Sequence, residues 1–154
     1  MQTGDVAPAF TVPDETGTPV SLTQFKGKDV VLFFYPRANT PGCTLESCAF
    51  RDVYAKLKAA GVVVLGASTD TPKAQMKFKQ DHGLPFPLLA DEHKELVMAY
   101  GVWKEKNMYG KTVMGTERTT FLIGPDGRIK KIYPKVKPEG HAEAVLAEIQ
   151  GSKM

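Results

Sequence analysis

The chain has 154 residues, and its formal net charge of +3 is the balance of 20 lysine and arginine side chains against 17 acidic ones. Hydrophobic residues make up 42% of the chain and charged residues 24%, which is typical of a folded domain and excludes a disordered chain. The length predicts a single domain over residues 1–154. The small net charge gives no reason to expect binding to nucleic acid or to an anionic membrane.

The sequence contains two cysteines, Cys43 and Cys48, which is too few for a disulfide-rich secreted scaffold. The first residues lack the basic and apolar segments of a signal peptide, and no apolar run approaches the ~20 residues that span a bilayer. We therefore expect a cytoplasmic location. In a reducing cytosol, two neighbouring cysteines are more often catalytic or metal-binding than a permanent disulfide.

The predicted elements alternate between strands and helices over much of the chain. They are, in chain order, strands at 10–12, 20–22 and 29–35, a helix at 41–60, a strand at 62–67, a helix at 72–82, a strand at 86–89, a helix at 92–100, strands at 119–123 and 128–133, and a helix at 139–150. The apolar runs at 29–35 and 62–67 are typical of buried strands. Thr71 and Pro72 are typical of a helix start, and residues 124–127 of a hairpin turn.

This order predicts an α/β fold. Strands separated by helices become parallel neighbours joined by crossovers, whereas the late hairpin adds antiparallel strands. We therefore expect a mixed central β-sheet flanked by helices on both faces, with an N-terminal β-hairpin. The last predicted helix carries apolar side chains on one face, as packing against a sheet requires, namely Ala142, Val145, Leu146 and Ile149.

The segment that contains the cysteines joins a buried strand to a helix. Thr40 lies where a helix N-cap belongs and Pro41 fills the first helical position, so Cys43 falls in the first turn. Backbone N–H groups in that turn have no helical partner and carry the positive end of the helix dipole. Such a position lowers the pKa of a cysteine thiol below its usual value of about 8.5, and the thiolate is the nucleophile. Cys43 is therefore a candidate reactive cysteine.

Cys43 and Cys48 cannot form a disulfide while the predicted helix is intact. Five residues along an ideal helix rise ~7.5 Å and rotate by ~140°, which places the Cα atoms too far apart for a disulfide, with side chains that diverge. Oxidation of the pair therefore requires the helix start to unwind. Other interpretations stay open: a structural disulfide, a metal site with scattered histidines (His82, His93 and His141), or an inert, buried Cys48.

The cysteine segment resembles the active-site signature of the peroxiredoxins. Pro36, Thr40 and Cys43 have the spacing of that signature, and residues 40–48 are similar to the subgroup called bacterioferritin comigratory protein or peroxiredoxin Q. The resemblance extends over almost the whole chain, through residues 4–10, 101–103, 110–123 and 136–141.

This resemblance implies a thioredoxin-like fold and thiol-dependent reduction of hydrogen peroxide and organic hydroperoxides. Cys43 would be the peroxidatic cysteine and Cys48 the resolving cysteine, joined in an intramolecular disulfide, with Pro36, Thr40 and Arg118 completing the site. Thioredoxin or a similar dithiol would return the disulfide to thiols. The resemblance implies an enzyme, expected as a monomer, that needs no cofactor, neither haem nor metal. From composition and the lack of an apolar span we expect that it binds neither nucleic acid nor a membrane.

Some residues of this predicted site and near the cysteines have more than one possible role. Arg118, just before a strand, is either a fixed charge that favours the thiolate and polarises the peroxide or an ordinary surface arginine. The Thr40 hydroxyl orients the peroxide, caps the helix, or does both, and the rigid ring of Pro36 shields the sulfenic acid from water. Glu46 pairs with a nearby arginine or only adds to the electrostatics of the helix start.

A further cluster lies near a predicted loop or hairpin and consists of Trp103, Met108, Tyr109 and Met114. It either packs as ordinary core and loop or forms an apolar rim for a hydroperoxide or a reductase. Two other functions compete with the peroxidase, namely a thiol–disulfide oxidoreductase and a non-enzymatic peroxide sensor or holdase. The four residues between the cysteines argue against the former, and a partner surface would be needed for the latter.

Overall fold

The computed structural model describes residues 1–108 and 110–152. Its elements are β1 (Thr11–Pro13), β2 (Pro19–Ser21), a short 3-10 helix (Leu22–Phe25), β3 (Asp29–Phe34), α1 (Pro41–Ala59), β4 (Val62–Ser68), α2 (Pro72–His82), β5 (Leu88–Ala90), α3 (Glu95–Ala99), β6 (Trp103–Met108), β7 (Lys111–Thr116), β8 (Thr119–Ile123), β9 (Ile129–Tyr133) and α4 (His141–Ser152). Within these ranges, no helix is long and apolar enough to cross a membrane.

A mixed five-stranded sheet forms the centre of the fold, in the order β5-β4-β3-β8-β9. The pairs β3–β4 and β4–β5 are parallel, whereas β3–β8 and β8–β9 are antiparallel. Strands β1 and β2 form the predicted N-terminal hairpin as a separate two-stranded sheet. The predicted α/β fold, with its mixed sheet and N-terminal hairpin, is confirmed.

The central strand β3 divides the interior into two cores. Val31 and Phe33 belong to a first core that includes buried side chains of α1, α2 and α4. Leu32 and Phe34, which alternate with them, belong to a second core with α3 and the N-terminal hairpin. Side chains of a strand alternate between the two faces of a sheet, so the apolar run 30–34 of β3 requires cover on both faces. Helices therefore pack on both faces, as predicted.

Helix α2 begins where its capping residue predicts, whereas helix α3 begins later than predicted. Thr71 accepts a hydrogen bond from the Ala74 N–H at 3.1 Å, so α2 begins as predicted. Helix α3 is shorter than the predicted 92–100, because Lys94 has a left-handed φ of 64° and the Asp91 carboxylate accepts from the first N–H groups of the helix. Strand β5 begins two residues later than predicted, at Leu88.

Strands β6 and β7 form a two-stranded hairpin beside the main sheet. The sequence indicated only a loop or hairpin here, because the segment is rich in lysine and lacks an apolar run. Of the cluster noted in the sequence, Trp103 packs against the second core and Met114 is 49% exposed. Tyr109 and the side chain of Met108 lie outside the described residues.

Candidate active site

Cys43 is the third residue of α1 and is buried, with 1% of its surface exposed. Strand β3 ends at Phe34, Tyr35 continues into the first core, and residues 36–40 lead into the helix. The predicted position of Cys43 in the first turn is therefore confirmed. Unpaired backbone N–H groups of this turn and the helix dipole both favour a negative charge on its sulfur.

Arg118 brings a positive charge directly to the Cys43 sulfur. Its Nη2 donates a hydrogen bond to Cys43 Sγ at 3.3 Å. Arg118 immediately precedes β8, whose first residue, Thr119, pairs with Phe34 at the end of β3. Because β3 also leads into the cysteine segment, this pairing joins two residues 75 positions apart in the sequence. The interpretation of Arg118 as an ordinary surface residue is wrong.

The other side of the Arg118 guanidinium is bound to Glu46. Arg118 Nη1 lies 2.8 Å from Glu46 Oε1, and the Glu46 side chain is fully buried. Burial acts to lower the pKa of Arg118, but the negative charges of Glu46 and Cys43 and their hydrogen bonds outweigh it and raise that pKa above its usual value. The arginine therefore remains charged, and the pairing of Glu46 with a nearby arginine is confirmed.

Glu46 itself has a perturbed acidity. Burial raises its pKa from 4.5 to about 7, against the opposing effect of the Arg118 charge and hydrogen bond. Within the described part of the chain, Glu46 Oε2 is buried without a hydrogen-bond partner. An oxygen buried in this way loses its hydrogen bonds to water and gains none in return, which is the cost of burial that raises the pKa of Glu46.

Gly42 makes room for the guanidinium and was not singled out in the sequence. A Cβ at this position would lie 3.1 Å from Arg118 Nη2 and 3.6 Å from Pro138 Cγ. Any larger side chain would push against the nitrogen that binds the Cys43 sulfur. The sequence did contain a signal for this role: Gly42 lies in the first turn of a helix, where glycine lowers helix stability and so requires another reason to be present.

Thr40 occupies the N-cap position of α1, but its side chain makes no capping hydrogen bond. Its carbonyl accepts from the Thr44 N–H at 2.8 Å, as the helix requires, whereas Thr40 Oγ1 donates to the Arg37 carbonyl at 2.8 Å. The interpretation of the hydroxyl as a helix cap is therefore wrong. Pro36 follows the end of β3 and is partly buried.

Cys48 and Cys43 are both free thiols and lie on the same unbroken helix, α1. Cys48 is partly buried, about a turn and a half beyond Cys43. Because an ideal helix separates such positions by ~7.5 Å along its axis, the structure brings Cys43, Glu46 and Arg118 together but not the two cysteines. Among the residues that the structure describes, no group of three or more His, Cys, Asp or Glu side chains is placed to hold a metal ion.

The loop before α1 is held by side chains that the sequence analysis did not identify. The Ala38 N–H donates to Asp70 Oδ2 at 2.8 Å. Asn39 has a left-handed φ of 61°, and its Oδ1 lies 3.0 Å from His82 Nε2 at the end of α2. These contacts join residues more than thirty positions apart, and only the fold reveals them.

Comparison with known proteins gives consistent matches over nearly the full length. A family model described as the AhpC/TSA family matches residues 3–132. A Coxiella burnetii protein that carries the name peroxiredoxin bcp is 49% identical over 149 residues, which cover 97% of this chain and 99% of that protein. Peroxiredoxin Bcp of Escherichia coli K12 is 44% identical over 146 residues, covering 95% of this chain and 94% of that protein.

The fold matches solved structures equally well. A structure of the Xanthomonas campestris bacterioferritin comigratory protein, described in connection with its alkyl peroxide reduction activity, superposes with a TM-score of 0.89 at 39% identity. The match covers 94% of this chain and 92% of that one. A Mycobacterium tuberculosis AhpC structure, 24% identical with a TM-score of 0.81, shares the fold.

Proposed function

The chain belongs to the AhpC/TSA family as a peroxiredoxin of the Bcp and peroxiredoxin Q type, a thiol-dependent peroxidase, and we propose that Cys43 is the thiol that attacks the peroxide. The observation that carries this assignment is the 3.3 Å contact between Arg118 Nη2 and Cys43 Sγ in the first turn of α1. A fixed cation and a helix start both stabilise a thiolate.

The first step is nucleophilic displacement at oxygen. The Cys43 thiolate attacks one peroxide oxygen, so that an S–O bond forms as the O–O bond breaks. The sulfur is oxidised to a sulfenic acid, and the leaving hydroxide or alkoxide takes a proton to become water or an alcohol. Arg118 supplies a positive charge where the negative charge moves from sulfur to the leaving oxygen.

Thr40 and Pro36 assist this step without reacting. Thr40 Oγ1 donates a hydrogen bond to the Arg37 carbonyl, which leaves the lone pairs of Oγ1 free to accept a hydrogen bond from the peroxide O–H. A peroxide held in this way would have a defined orientation toward Cys43 Sγ. Pro36 has no N–H and a rigid ring, which suits the role of shielding the sulfenic acid from water.

Cys48 resolves the sulfenic acid in the second step. Its thiolate attacks the Cys43 sulfur, an S–S bond forms, and the sulfenic oxygen leaves as water after taking a proton. Because both residues lie on α1, the first turns of the helix must unwind before the sulfurs meet. A dithiol of the thioredoxin type then reduces the disulfide by thiol–disulfide exchange and is itself oxidised to a disulfide.

We propose further that the chain acts as a single-domain monomer in the cytoplasm, on hydrogen peroxide and organic hydroperoxides. Continuous reduction of a Cys43–Cys48 disulfide is most readily sustained in a compartment that keeps thiols reduced. Sedimentation of the reduced and the oxidised protein would measure the oligomeric state. Sedimentation as a dimer in either redox state would contradict the monomer.

Two serine variants test the assignment of the cysteines. Cys43→Ser should abolish turnover of peroxide with a thioredoxin system, because no nucleophile remains. Cys48→Ser should still be oxidised once by peroxide, at the parent rate, but should lose thioredoxin-dependent cycling. Stopped-flow kinetics with mass analysis of quenched samples would show a sulfenic acid and then an internal disulfide in the parent. Full activity of Cys43→Ser would refute the assignment.

A further inference from the structure

The Asp70 carboxylate binds the backbone of the segment that leads into the candidate active site. The Ala38 N–H donates to Asp70 Oδ2 at 2.8 Å. In the part of the chain that the structure describes, no other backbone N–H of residues 36–40, which connect β3 to α1, donates a hydrogen bond. Thr40 and Cys43 follow Ala38 in the chain at short distance, so this contact with Asp70 bears on the placement of both.

The central sheet fixes the position of the Asp70 carboxylate. Strand β4 is parallel to β3, with Ala67 opposite Phe34, so both strands end at the same edge of the sheet. Ser68, the last residue of β4, is fully buried, and its Oγ donates to Asp70 Oδ2 at 2.6 Å. The Ser68 carbonyl accepts from the Asp91 N–H at 2.8 Å. The carboxylate is therefore held by the sheet and not by the segment that it binds.

Both donors, the Ala38 N–H and the Ser68 hydroxyl, bind the same oxygen of Asp70. A carboxylate accepts hydrogen bonds that are roughly twice as strong as those between neutral groups. An asparagine oxygen in the same place can accept both hydrogen bonds, although more weakly, whereas an alanine can accept neither. Substitution at position 70 therefore changes the strength of the contact with Ala38 in a graded way.

We propose that Asp70 is a positioning residue for the peroxidase reaction, which holds residues 36–40 in the arrangement that places the Cys43 sulfur against Arg118. The proposal rests on the proposed function of Cys43. It implies opposite effects on the two steps of the reaction. Attack on the peroxide uses the 3.3 Å contact between Cys43 Sγ and Arg118 Nη2, so a loosened segment should slow it. Formation of the disulfide with Cys48 requires the first turns of α1 to unwind, so a loosened segment should accelerate it.

Asp70→Ala should therefore change the rates of the two steps in opposite directions. The attack of Cys43 on peroxide should slow by about five- to ten-fold, because small displacements of a reacting group are costly. Conversion of the sulfenic acid to the disulfide should accelerate by about ten-fold, the change in the opening equilibrium expected when a hydrogen bond to a charged group is lost. Asp70→Asn should restore most of the parent rate in both steps. A loss of global stability alone would move neither rate while the protein stays folded.

The experiment measures each step separately after a pulse of hydrogen peroxide. Cys48→Ser protein reports the first step, because its oxidation stops at the sulfenic acid, and protein with both cysteines reports the second at a saturating peroxide concentration. Mass analysis of quenched samples follows both products with time. Asp126→Ala is the matched control: Asp126 Oδ1 also accepts from a backbone N–H, that of Arg128 at 3.1 Å, but in the turn after β8, at the opposite end of that strand from Arg118. This variant should keep both parent rates.

Opposite changes in Asp70→Ala that asparagine largely reverses would support the positioning role. Any other pattern in the two rates, or the same changes in Asp126→Ala, would overturn it. If peroxide failed to oxidise Cys43 in Cys48→Ser protein with Asp70 intact, the proposed function itself would fail.

Ser68→Ala keeps the test decisive if circular dichroism shows that Asp70→Ala is poorly folded. This variant keeps the Asp70 carboxylate but removes the 2.6 Å hydrogen bond that holds it at the end of β4. It should slow the attack on peroxide and accelerate disulfide formation, each by a smaller factor than Asp70→Ala. Parent rates in both steps would count against the role of Asp70.

Discussion

At the scale of single residues, Arg118 serves two partners at once. One terminal nitrogen lies 3.3 Å from the Cys43 sulfur and the other lies 2.8 Å from the Glu46 carboxylate. When Glu46 is ionised, it neutralises part of the charge that the arginine presents to the thiolate. When Glu46 is protonated, more of that charge acts on Cys43. The protonation state of the buried Glu46 carboxyl therefore changes the electrostatic environment of the Cys43 sulfur.

Glu46→Gln should change how stability depends on pH. Burial raises the pKa of Glu46 from 4.5 to about 7, so the folded state binds this proton more tightly than the unfolded chain does. The resulting stabilisation is fully present below about pH 4.5 and is lost as the pH rises through about 7. The glutamine cannot ionise, so the variant should gain roughly 1–3 kcal/mol relative to the parent between pH 5 and pH 8.

Urea unfolding of both proteins at several pH values measures this difference. Glu148→Gln is a suitable control, because Glu148 is 45% exposed and only 3.5 Å from Lys131 at the surface. Exposed ion pairs contribute little to stability, so that variant should follow the parent at every pH. Parallel curves for Glu46→Gln and the parent would show that Glu46 does not titrate in this range.

At the scale of elements, the start of α1 is held by the end of α2. The side chain of Asn39, the residue before the N-cap, contacts the end of α2. Its Oδ1 lies 3.0 Å from His82 Nε2, and its Nδ2 lies 3.4 Å from Asp81 Oδ2. On the other side of this junction, Arg51 Nη1 donates to the His82 carbonyl at 2.7 Å. The contacts of Asn39 lie next to the turns that open in the proposed unwinding of α1, so we expect them to oppose the proposed Cys43–Cys48 disulfide.

Asn39→Gly should accelerate that disulfide. Glycine adopts the left-handed φ of 61° without strain, so the substitution removes the side-chain contacts while keeping the backbone conformation. Loss of about 1 kcal/mol of hydrogen bonding should raise the opening equilibrium roughly five-fold. Mass analysis of samples quenched after a peroxide pulse would measure how fast the sulfenic acid becomes a disulfide.

The matched control for this variant is Lys77→Ala, which breaks the 2.9 Å ion pair with Asp81 on α2 but leaves Asn39 and His82 in place. Its rate of disulfide formation should equal that of the parent. A parent-like rate in Asn39→Gly as well would show that these contacts do not control the opening of α1.

Most elements were predictable because their signals are local. The apolar run of β3, the Thr71-Pro72 start of α2 and the hairpin turn before β9 are each encoded within a few residues. The hairpin of β6 and β7 was only partly predicted, because neither of its faces is a continuous apolar surface. The contacts of Arg118 with Cys43 and Glu46 depend on strand pairing between distant segments, which the sequence alone does not specify.

At the scale of the whole molecule, β3 connects the candidate active site to both cores. It leads into the segment that carries Cys43, pairs with β8 next to Arg118, and places alternate side chains in the two cores. Because one strand contributes fully buried side chains to both faces, neither core is complete without it. The geometry around Cys43, which itself belongs to the first core, therefore depends on the integrity of the whole sheet.

This arrangement predicts that the chain unfolds in one cooperative transition, as a single domain should. Leu32→Ala in the second core and Leu57→Ala in the first core each remove a fully buried leucine and should each cost roughly 2–5 kcal/mol. The single tryptophan, Trp103, reports on the second core by fluorescence, and far-ultraviolet circular dichroism reports on all helices.

In each variant the two probes should give the same denaturation midpoint. Because β3 belongs to both cores, unfolding of one core removes a strand that the other core needs. Leu45→Ala is the chemically matched control: this side chain is 47% exposed, so its loss should change stability by less than about 1 kcal/mol. If Leu57→Ala lowered the circular dichroism midpoint while the Trp103 midpoint stayed at the parent value, the two cores would be independent units, and the single-domain prediction would be wrong.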